Sequence, residues 1–260
     1  MATASTSPAE QISADTLIWI TGATQGIGAA LARSVPYPNA RVINISRRQH
    51  PTLESVVADL SDPASWDLIA EHLNQTLRAF RGSKVVFFHN ANLPGHGFAG
   101  EGDPVQYRKQ VLANAAASLV VGDAFIRACP PHLDSGLVMM SSASAKFAMQ
   151  GSAVYGAAKA GMEQWVRAVR AERKRRGTGP WVVAIRPGFV VTDEMRTNYA
   201  EMSEEKLLAD PGAVAVKAAI DSGRGDSPDK CARDIWGLLP PGPDSRTVLF
   251  LGEYIQGAEG

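Results

Sequence analysis

The chain has 260 residues, of which 45% are hydrophobic and 20% charged, a composition that excludes global disorder. Its 26 basic and 26 acidic residues cancel, so no global field attracts nucleic acid or an anionic membrane. No apolar run approaches the roughly 18 residues of a membrane span. Two cysteines without metal spacing suit a reducing compartment, and we expect a cytoplasmic protein. Residues 1–14, rich in Ser, Thr and Ala, predict a short flexible tail.

Short apolar runs alternate with longer stretches of helical character. The runs lie at 17–20, 41–45, 55–58, 85–88, 137–140, 182–185 and 248–251. Continuous apolar character favours parallel strands that are covered on both faces. This alternation predicts an α/β fold with one doubly wound domain over residues 15–260 and a mostly parallel seven-stranded sheet.

Capping residues mark the helices. Asp-Pro pairs at 62–63 and 103–104 each combine an N-cap with a proline in the first turn. The first helix runs to about residue 80, and prolines 130–131 stop the second. A third helix carries an apolar face through Ala158, Met162 and Val166 and ends at Gly177. The charged segment 192–226, with its Gly and Pro residues, is too long for a plain connection, so we predict a substrate-loop insertion.

A glycine-rich turn, TGATQGIG at 21–28, follows the first strand and opens a helix. Gly22 permits the tight turn, Gly26 lets the backbone approach a pyrophosphate, and Gly28 lets the helix pack closely on the strand. The helix N-terminus presents N–H groups and a positive dipole to the phosphates. In this context the motif predicts an NAD(P)-binding Rossmann domain; the alternative is a glycine-rich turn without a ligand.

The residues after the second strand discriminate between nicotinamide cofactors. An acidic side chain there would bind the ribose hydroxyls, but this chain has Ser46, Arg47 and Arg48, and guanidinium groups suit a 2′-phosphate. We therefore expect NADP(H) to be preferred over NAD(H), with a solvated basic turn as the alternative. Asp59, after the third strand, either accepts from the adenine amino group or is an ordinary turn residue.

Tyr155 and Lys159 are four residues apart, which places them on one face of the third helix. A lysine ammonium near a phenol favours the phenolate, so we expect a lowered pKa for Tyr155 and a role as general acid/base. Ser142 follows the fifth strand, whose carboxyl end faces the cofactor crevice, and is placed to bind a substrate oxygen. A surface helix pair is the alternative for Tyr155 and Lys159.

Together these motifs resemble the short-chain dehydrogenases/reductases of the short, single-domain type over residues 16 to about 252. The matching residues are Thr21, Gly22, Gly26, Gly28, Asp59, Leu60, Asn90, Ala91, Asn114, Ser142, Tyr155, Lys159 and the run Arg186-Pro187-Gly188-Phe189-Val190-Val191-Thr192. The resemblance implies the strand order 3-2-1-4-5-6-7. It also implies that Asn114 bends its helix and holds a water in a proton relay to Lys159.

The resemblance further implies which residues contact the cofactor. Beyond the three turn glycines and residues 46–48, the expected contacts are Thr24, Gln25, Ile27, Asp59, Leu60, Asn90, Ala91, Tyr155, Lys159, Pro187, Gly188, Val190 and Thr192. Two departures from the family stand out. Residues 89–92 read His-Asn-Ala-Asn where Asn-Asn-Ala-Gly is frequent, and we expect Asn92 to accept the left-handed φ of the glycine. Residues 250–254 lack a Val-Asp-Gly-Gly ending, which favours sepiapterin- or benzil-reductase-like members over fatty-acid ketoreductases.

Other candidate features receive simpler interpretations. His89 and His96 lack a third ligand, so we expect no metal site. The basic residues Arg167, Arg170, Arg173, Lys174, Arg175 and Arg176 predict a solvated helix end. Five side chains near the expected active-site mouth either line a substrate pocket or belong to the core; they are Phe147, Met149, Phe189, Met195 and Tyr199.

The sequence therefore predicts an NADP(H)-dependent oxidoreductase that interconverts a carbonyl and an alcohol. Tyr155 is the expected general acid/base, Ser142 positions the substrate oxygen, Lys159 lowers the Tyr155 pKa and holds the nicotinamide ribose, and Asn114 maintains the relay. The partner is a small carbonyl or alcohol, and the family resemblance implies a homodimer or homotetramer. The alternative function is an NADP(H)-binding sensor or scaffold without turnover.

Overall fold

A computed structural model describes residues 14–95, 97–208 and 211–252 of the chain. Its sheet contains seven strands: β1 (Thr16–Thr21), β2 (Ala40–Ser46), β3 (Glu54–Val57), β4 (Lys84–His89), β5 (Asp134–Met140), β6 (Trp181–Arg186) and β7 (Val248–Phe250). The order is β3-β2-β1-β4-β5-β6-β7, and each neighbouring pair is parallel. The predicted doubly wound sheet and its strand order are confirmed. Residues 1–13 of the predicted tail lie outside the described residues.

The helices connect successive strands. They are α1 (Gly26–Arg33), α2 (Pro63–Ala79), α3 (Pro104–Val111), α4 (Ala117–Ala128), α5 (Ala153–Arg176), α6 (Asp193–Ala200), α7 (Glu204–Leu208), α8 (Pro211–Asp221) and α9 (Pro228–Gly237). A π-helical turn, Leu112–Ala116, joins α3 to α4. The predicted caps are present: the side chains of Asp62 and Asp103 accept from backbone amides two residues on, and left-handed Gly177 ends α5.

Alternate residues of each strand supply two separate cores, because successive side chains point to opposite faces of a sheet. Phe87 of β4 and Met139 of β5 pack on the face that α2, α4 and α5 cover. Phe88 and Met140 pack on the face that α1 and α9 cover. Both faces are therefore apolar, and the polar chemistry is left to the ends of the strands.

The continuous helix from Pro104 to Ala128 has the length and mean hydropathy, 1.4, of a membrane-spanning helix. Core helices of water-soluble proteins share these two properties. Here Ala113, Ala117, Val121 and Phe125 are buried against the sheet, with at most 4% of each residue exposed. Packing inside the domain accounts for part of the apolar character of this helix, because 39% of its most apolar 18-residue window is buried.

The segment between β6 and α9 forms three helices, α6, α7 and α8. Its two ends meet in a parallel bridge between Val190 and Asp226. The Val191 amide donates to the Asp226 carbonyl at 3.0 Å, and the Asp226 amide donates to the Phe189 carbonyl at 2.9 Å. The insertion therefore leaves and rejoins the domain at one point beyond the carboxyl end of β6.

Candidate active site

The glycine turn between β1 and α1 has the conformation that its sequence predicts. Gly22 has a φ of +73°, a backbone conformation that residues other than glycine rarely adopt. A Cβ atom on Gly28 would overlap the carbonyl oxygen of Gly22 and lie 2.6 Å from Asn90 Nδ2. The backbone of α1 can approach the sheet this closely because no side chain intervenes. Since the Gln25 side chain makes no capping bond to α1, the first amides of the helix are left to another acceptor.

Residues 90 and 91 support the glycine turn from the neighbouring strand. The amides of Asn90 and Ala91 both donate to Thr21 Oγ1, at 2.8 and 2.9 Å. Asn90 Nδ2 also donates to the Thr21 carbonyl at 3.0 Å. We expected Asn92 to adopt a left-handed conformation, and that expectation is wrong. Every described residue with positive φ is a glycine, so Asn92 has an ordinary backbone conformation. The replacement of glycine at position 92 therefore introduces no backbone strain.

The basic turn after β2 lies beside the glycine turn. Arg48 Nη2 donates to Gln25 Oε1 at 3.0 Å, and Gln25 Nε2 donates to Glu194 Oε2 at 2.6 Å. Ser46 Oγ donates to the Arg48 carbonyl at 2.6 Å, which shapes the turn and leaves both guanidinium groups exposed. A chain of side-chain contacts thus joins the basic turn, the glycine turn and the first helix of the insertion.

Asp59 has the bonds of a turn residue. Its Oδ1 accepts from the backbone amide of Ser61 at 2.9 Å and from Ser61 Oγ at 2.8 Å. Burial raises the pKa of Asp59, but these bonds and the positive charges of Arg47 and Lys109 outweigh it and bring the pKa below 3.8. The neighbouring Leu60 is buried, and its carbonyl accepts from Trp66 Nε1 at 2.9 Å.

Ser142, Tyr155 and Lys159 come together at the carboxyl end of β5. Ser142 follows the strand and caps the short 3₁₀ turn Ala143–Ala145. Tyr155 lies in the first turn of α5, and its hydroxyl interacts with the Ser142 side chain, which partly offsets the rise that burial causes in the Tyr155 pKa. Lys159 Nζ lies 5.5 Å from the centroid of the Tyr155 ring and donates to the Met140 carbonyl at 2.7 Å. The structure therefore brings the predicted trio together.

The electrostatics of this trio differ from the sequence-based expectation. Burial raises the pKa of Tyr155 above 10.0, and the hydrogen bond to Ser142 only partly offsets that effect. Burial lowers the pKa of Lys159 to about 8. The expected lowering of the Tyr155 pKa is therefore not met in this arrangement, because burial of the phenol outweighs the opposing effect of Ser142.

Asn114 lies in the π-helical turn between α3 and α4 and is 3% exposed. Its Oδ1 accepts from the Leu93 amide at 2.7 Å, and its Nδ2 donates to the Leu93 carbonyl at 2.9 Å. The Asn114 side chain therefore holds the loop after β4 in place. The helix is locally wider at Asn114, because this turn is π-helical. Such π-helical turns are frequent at functional sites.

Glu163 is a buried residue of this region that sequence reasoning missed. Its two carboxylate oxygens accept from Arg186 Nε at 2.6 Å and Arg186 Nη2 at 2.7 Å. Ser141 Oγ donates to it at 2.6 Å and Arg167 Nη2 at 3.1 Å. The surrounding run of basic residues suggested a solvated helix, but Glu163 lies four residues after Lys159, at the spacing of the buried face.

The loop after β6 approaches the glycine turn. A Cβ on Gly188 would overlap the Leu251 carbonyl, so this loop packs directly on the backbone beyond β7. Thr192 caps α6 by accepting from the Met195 amide at 3.1 Å. Its Cγ2 lies 3.3 Å from the position that a Cβ on Gly26 would occupy. Pro187 precedes Gly188, and Val190 is buried beside the bridge that closes the insertion.

The remaining candidates fall outside the catalytic trio. The five side chains near the expected mouth are partly exposed and belong to neither core cluster; they are Phe147, Met149, Phe189, Met195 and Tyr199. In the basic run, Arg170 binds backbone carbonyls of residues 243–246, while residues 174–176 are exposed. Within residues 14–95, 97–208 and 211–252, no group of three or more His, Cys, Asp or Glu forms a metal site, and His96 lies outside these ranges.

A parallel doubly wound sheet with a glycine turn after β1 and a basic turn after β2 defines a dinucleotide-binding α/β fold. The family model described as short chain dehydrogenase matches residues 16–203, which is well over half of the chain. The chain therefore belongs to the short-chain dehydrogenase family. Members are oxidoreductases that bind a nicotinamide cofactor, act on small molecules and commonly form oligomers.

Relatives of known or assigned activity are distant. The chain is 25% identical over 215 residues to the 3-oxoacyl-acyl-carrier-protein reductase FabG of Salmonella typhimurium. The aligned residues cover 79% of this chain and 82% of that reductase. It is 24% identical over 238 residues to a benzil reductase, (S)-benzoin forming, of Bacillus cereus, covering 85% of this chain and 92% of that protein.

Solved structures have the same fold. A short-chain dehydrogenase/reductase from Burkholderia vietnamiensis is 27% identical with a TM-score of 0.62, covering 74% of this chain and 93% of that one. A short-chain dehydrogenase from Streptomyces avermitilis is 21% identical with a TM-score of 0.69, covering 92% and 88%.

Proposed function

We propose that this chain is an NADP(H)-dependent oxidoreductase that reduces a small carbonyl compound and, in the reverse direction, oxidises the corresponding alcohol. The observation that supports this most strongly is the convergence of Ser142, Tyr155 and the buried Lys159, whose Nζ lies 5.5 Å from the centroid of the Tyr155 ring. A phenol and a hydroxyl at this place can donate to one carbonyl oxygen, which is the requirement for proton transfer during carbonyl reduction.

The residues around the glycine turn fit a phosphorylated dinucleotide. The close packing at Gly22 and Gly28 and the uncapped first turn of α1 suit a pyrophosphate. The exposed guanidinium groups of Arg47 and Arg48 suit the 2′-phosphate that distinguishes NADP(H). Within the proposed mechanism, the bound nicotinamide supplies the hydride. The loop of Pro187, Gly188 and Thr192 lies where it can orient that ring.

The protein's own contribution is proton transfer and orientation. Tyr155 holds its proton at Oη, because burial keeps its pKa high, and it donates that proton to the carbonyl oxygen as negative charge develops there. Ser142 donates a second hydrogen bond to the same oxygen. Lys159, held by the Met140 carbonyl, provides positive charge and a proton source for the return of Tyr155 to its protonated form.

The substrate proposal draws on the relatives and on the mouth of the site. Both named relatives are, by their names, carbonyl reductases. The partly exposed Phe147, Phe189 and Met195 suit the apolar substituents of such a ketone. The oligomers that are common among family members support a homodimer or homotetramer, and the free thiols of Cys129 and Cys231 suit a reducing, cytoplasmic compartment.

The test is turnover by the purified chain. NADPH or NADH is mixed with each member of a panel of ketones, diketones and 3-oxoacyl thioesters, and the loss of reduced-nicotinamide absorbance is followed. We expect oxidation of NADPH with at least one carbonyl compound, and a rate lower by about 10²-fold or more with Tyr155→Phe. Tight NADPH binding in a fluorescence titration, without oxidation by any member of the panel, would instead establish a sensor or scaffold.

A further inference from the structure

The side chain of His89 is buried at the carboxyl end of β4 without a protein partner. The residue is 1% exposed, and neither Nδ1 nor Nε2 makes a hydrogen bond with any described residue. Buried polar side-chain atoms are almost always hydrogen-bonded, so an imidazole with two unbonded nitrogens requires a physical explanation. Packing alone does not provide one, because an apolar side chain would fill the same space without this cost.

The direction of the imidazole follows from the sheet. Phe87, two residues earlier on β4, packs on the face covered by α4 and α5, and strand alternation places His89 on that same face. The register partner of His89 on β5 is Met139. The next residue, Met140, provides the carbonyl that accepts from Lys159 Nζ at 2.7 Å. The imidazole and the lysine ammonium therefore approach the ends of β4 and β5 from the sheet and from α5.

The charge at this place comes from Lys159. The titratable or charged groups on the packed elements around the ends of β4 and β5 include Tyr155, Lys159 and Glu163 of α5 and Arg186 of β6. Glu163 and Arg186 pair with each other. The charged groups of α4, Asp123 and Arg127, pair with each other on the exposed surface. On the other flank, β1 contributes Thr21, an uncharged hydroxyl. Burial, and then the positive charge of Lys159, lower the pKa of His89 to about 3.

We propose that His89 is a positioning residue for Lys159: one buried water accepts a hydrogen bond from the Lys159 ammonium group and donates one to the acceptor nitrogen of the neutral His89 imidazole. A neutral imidazole has one acceptor nitrogen, and an ammonium group has three donors, of which the Met140 carbonyl uses one. A water between them bonds both groups at little cost. This acceptor stabilises the charged form of Lys159 against burial and holds its Nζ beside Tyr155.

The role of His89 in turnover rests on the proposed function. Its interaction with Lys159 is tested separately, by measuring the protonation of the two side chains. Ring nitrogens of His89 and the Cε carbon of Lys159 are followed by NMR in the wild-type chain from pH 5 to pH 10. We expect a neutral His89 of one tautomer throughout, whose ring shifts change in step with the titration of Lys159 near pH 8. A ring that protonates above pH 5, or that does not respond when Lys159 titrates, overturns the proposal.

Variants separate positioning from packing. In His89→Leu, which removes the acceptor, the titration midpoint of Lys159 should fall by about 0.5 to 1 pH unit. His89→Asn retains a polar acceptor, so the Lys159 midpoint should stay close to its wild-type value. The control His132→Leu, in an exposed loop, should not change the Lys159 midpoint. The alkaline limb of kcat/KM should move with the midpoint. An unchanged Lys159 midpoint in folded His89→Leu contradicts the proposal, while turnover by the wild-type chain independently decides the proposed function.

Discussion

Arg186 and Glu163 form a two-pronged ion pair beneath the catalytic trio, with Nε to Oε1 at 2.6 Å and Nη2 to Oε2 at 2.7 Å. Arg186 is the last residue of β6 and precedes the loop proposed to orient the nicotinamide. Glu163 lies one helical turn after Lys159 on α5. The pair therefore connects the proposed cofactor loop to the catalytic helix inside the protein, where the Glu163 side chain is 2% exposed.

Removal of the Glu163 charge should destabilise the chain. Glu163→Gln removes the negative charge that pairs with the Arg186 guanidinium, and breaking a buried pair from one side costs about 3–5 kcal/mol. Urea denaturation measures the free energy of unfolding. Glu172→Gln, on an exposed position of the same helix, is the control and should change it by less than about 0.5 kcal/mol. Equal losses in the two variants would show that the pair does not stabilise the fold.

The same carboxylate should contribute to acid sensitivity. Burial raises the pKa of Glu163, but the bonds from Arg186 and Ser141 and the nearby positive charges outweigh it, so its folded-state pKa lies below 4.5. A lowered folded pKa stabilises the protein fully above the unfolded value and loses that contribution as pH falls through the folded pKa. Unfolding free energies measured from pH 7 to pH 3 should therefore fall less steeply in Glu163→Gln than in the wild-type chain below about pH 4.5. Parallel curves would contradict this assignment.

The basic turn after β2 should determine the choice of cofactor. We expect NADPH to bind more tightly than NADH by roughly tenfold or more, because charge-assisted hydrogen bonds contribute about 1.5–3 kcal/mol. Ser46→Asp should reverse this order, since a carboxylate repels the 2′-phosphate and accepts from ribose hydroxyls. Fluorescence titrations with both cofactors measure the ratio, and Thr178→Asp on an exposed loop controls for added charge. Equal affinities in the wild-type chain would disprove the preference.

The insertion over 192–226 should close over the bound cofactor. Gln25 of the glycine turn donates from Nε2 to Glu194 Oε2 of the insertion at 2.6 Å, and both residues are exposed, so that contact is weak. Thr192 stands next to Gly26 and is placed to transmit binding to α6. Limited proteolysis should cut within 193–226 in the free chain, with protection when NADP⁺ and a carbonyl ligand are both present. Hydrogen exchange that is equal with and without these ligands would identify a rigid element.

The sequence predicted the sheet, and it predicted that Ser142, Tyr155 and Lys159 lie close together, because local patterns carry most of this information. Continuous apolar runs and Asp-Pro caps identify the strands and helices without tertiary information, and the four-residue spacing of Tyr155 and Lys159 places them on one helix face. The partner of Glu163 could not be predicted, because Arg186 lies 23 residues away and is joined to it only by the fold. The direction of the Tyr155 pKa was also missed, since burial depends on the packed site.

The central claim is that Tyr155 donates the proton in carbonyl reduction, and Tyr155→Phe tests it most directly because only the hydroxyl is removed. Single-turnover oxidation of bound NADPH is measured for the wild-type chain and the variant with one carbonyl compound that the wild type reduces, and cofactor affinity is measured in parallel. We predict unchanged NADPH binding and a rate that falls by about 10²-fold or more, the scale of a lost general acid. A variant that binds NADPH normally and retains a near-native rate would contradict the account.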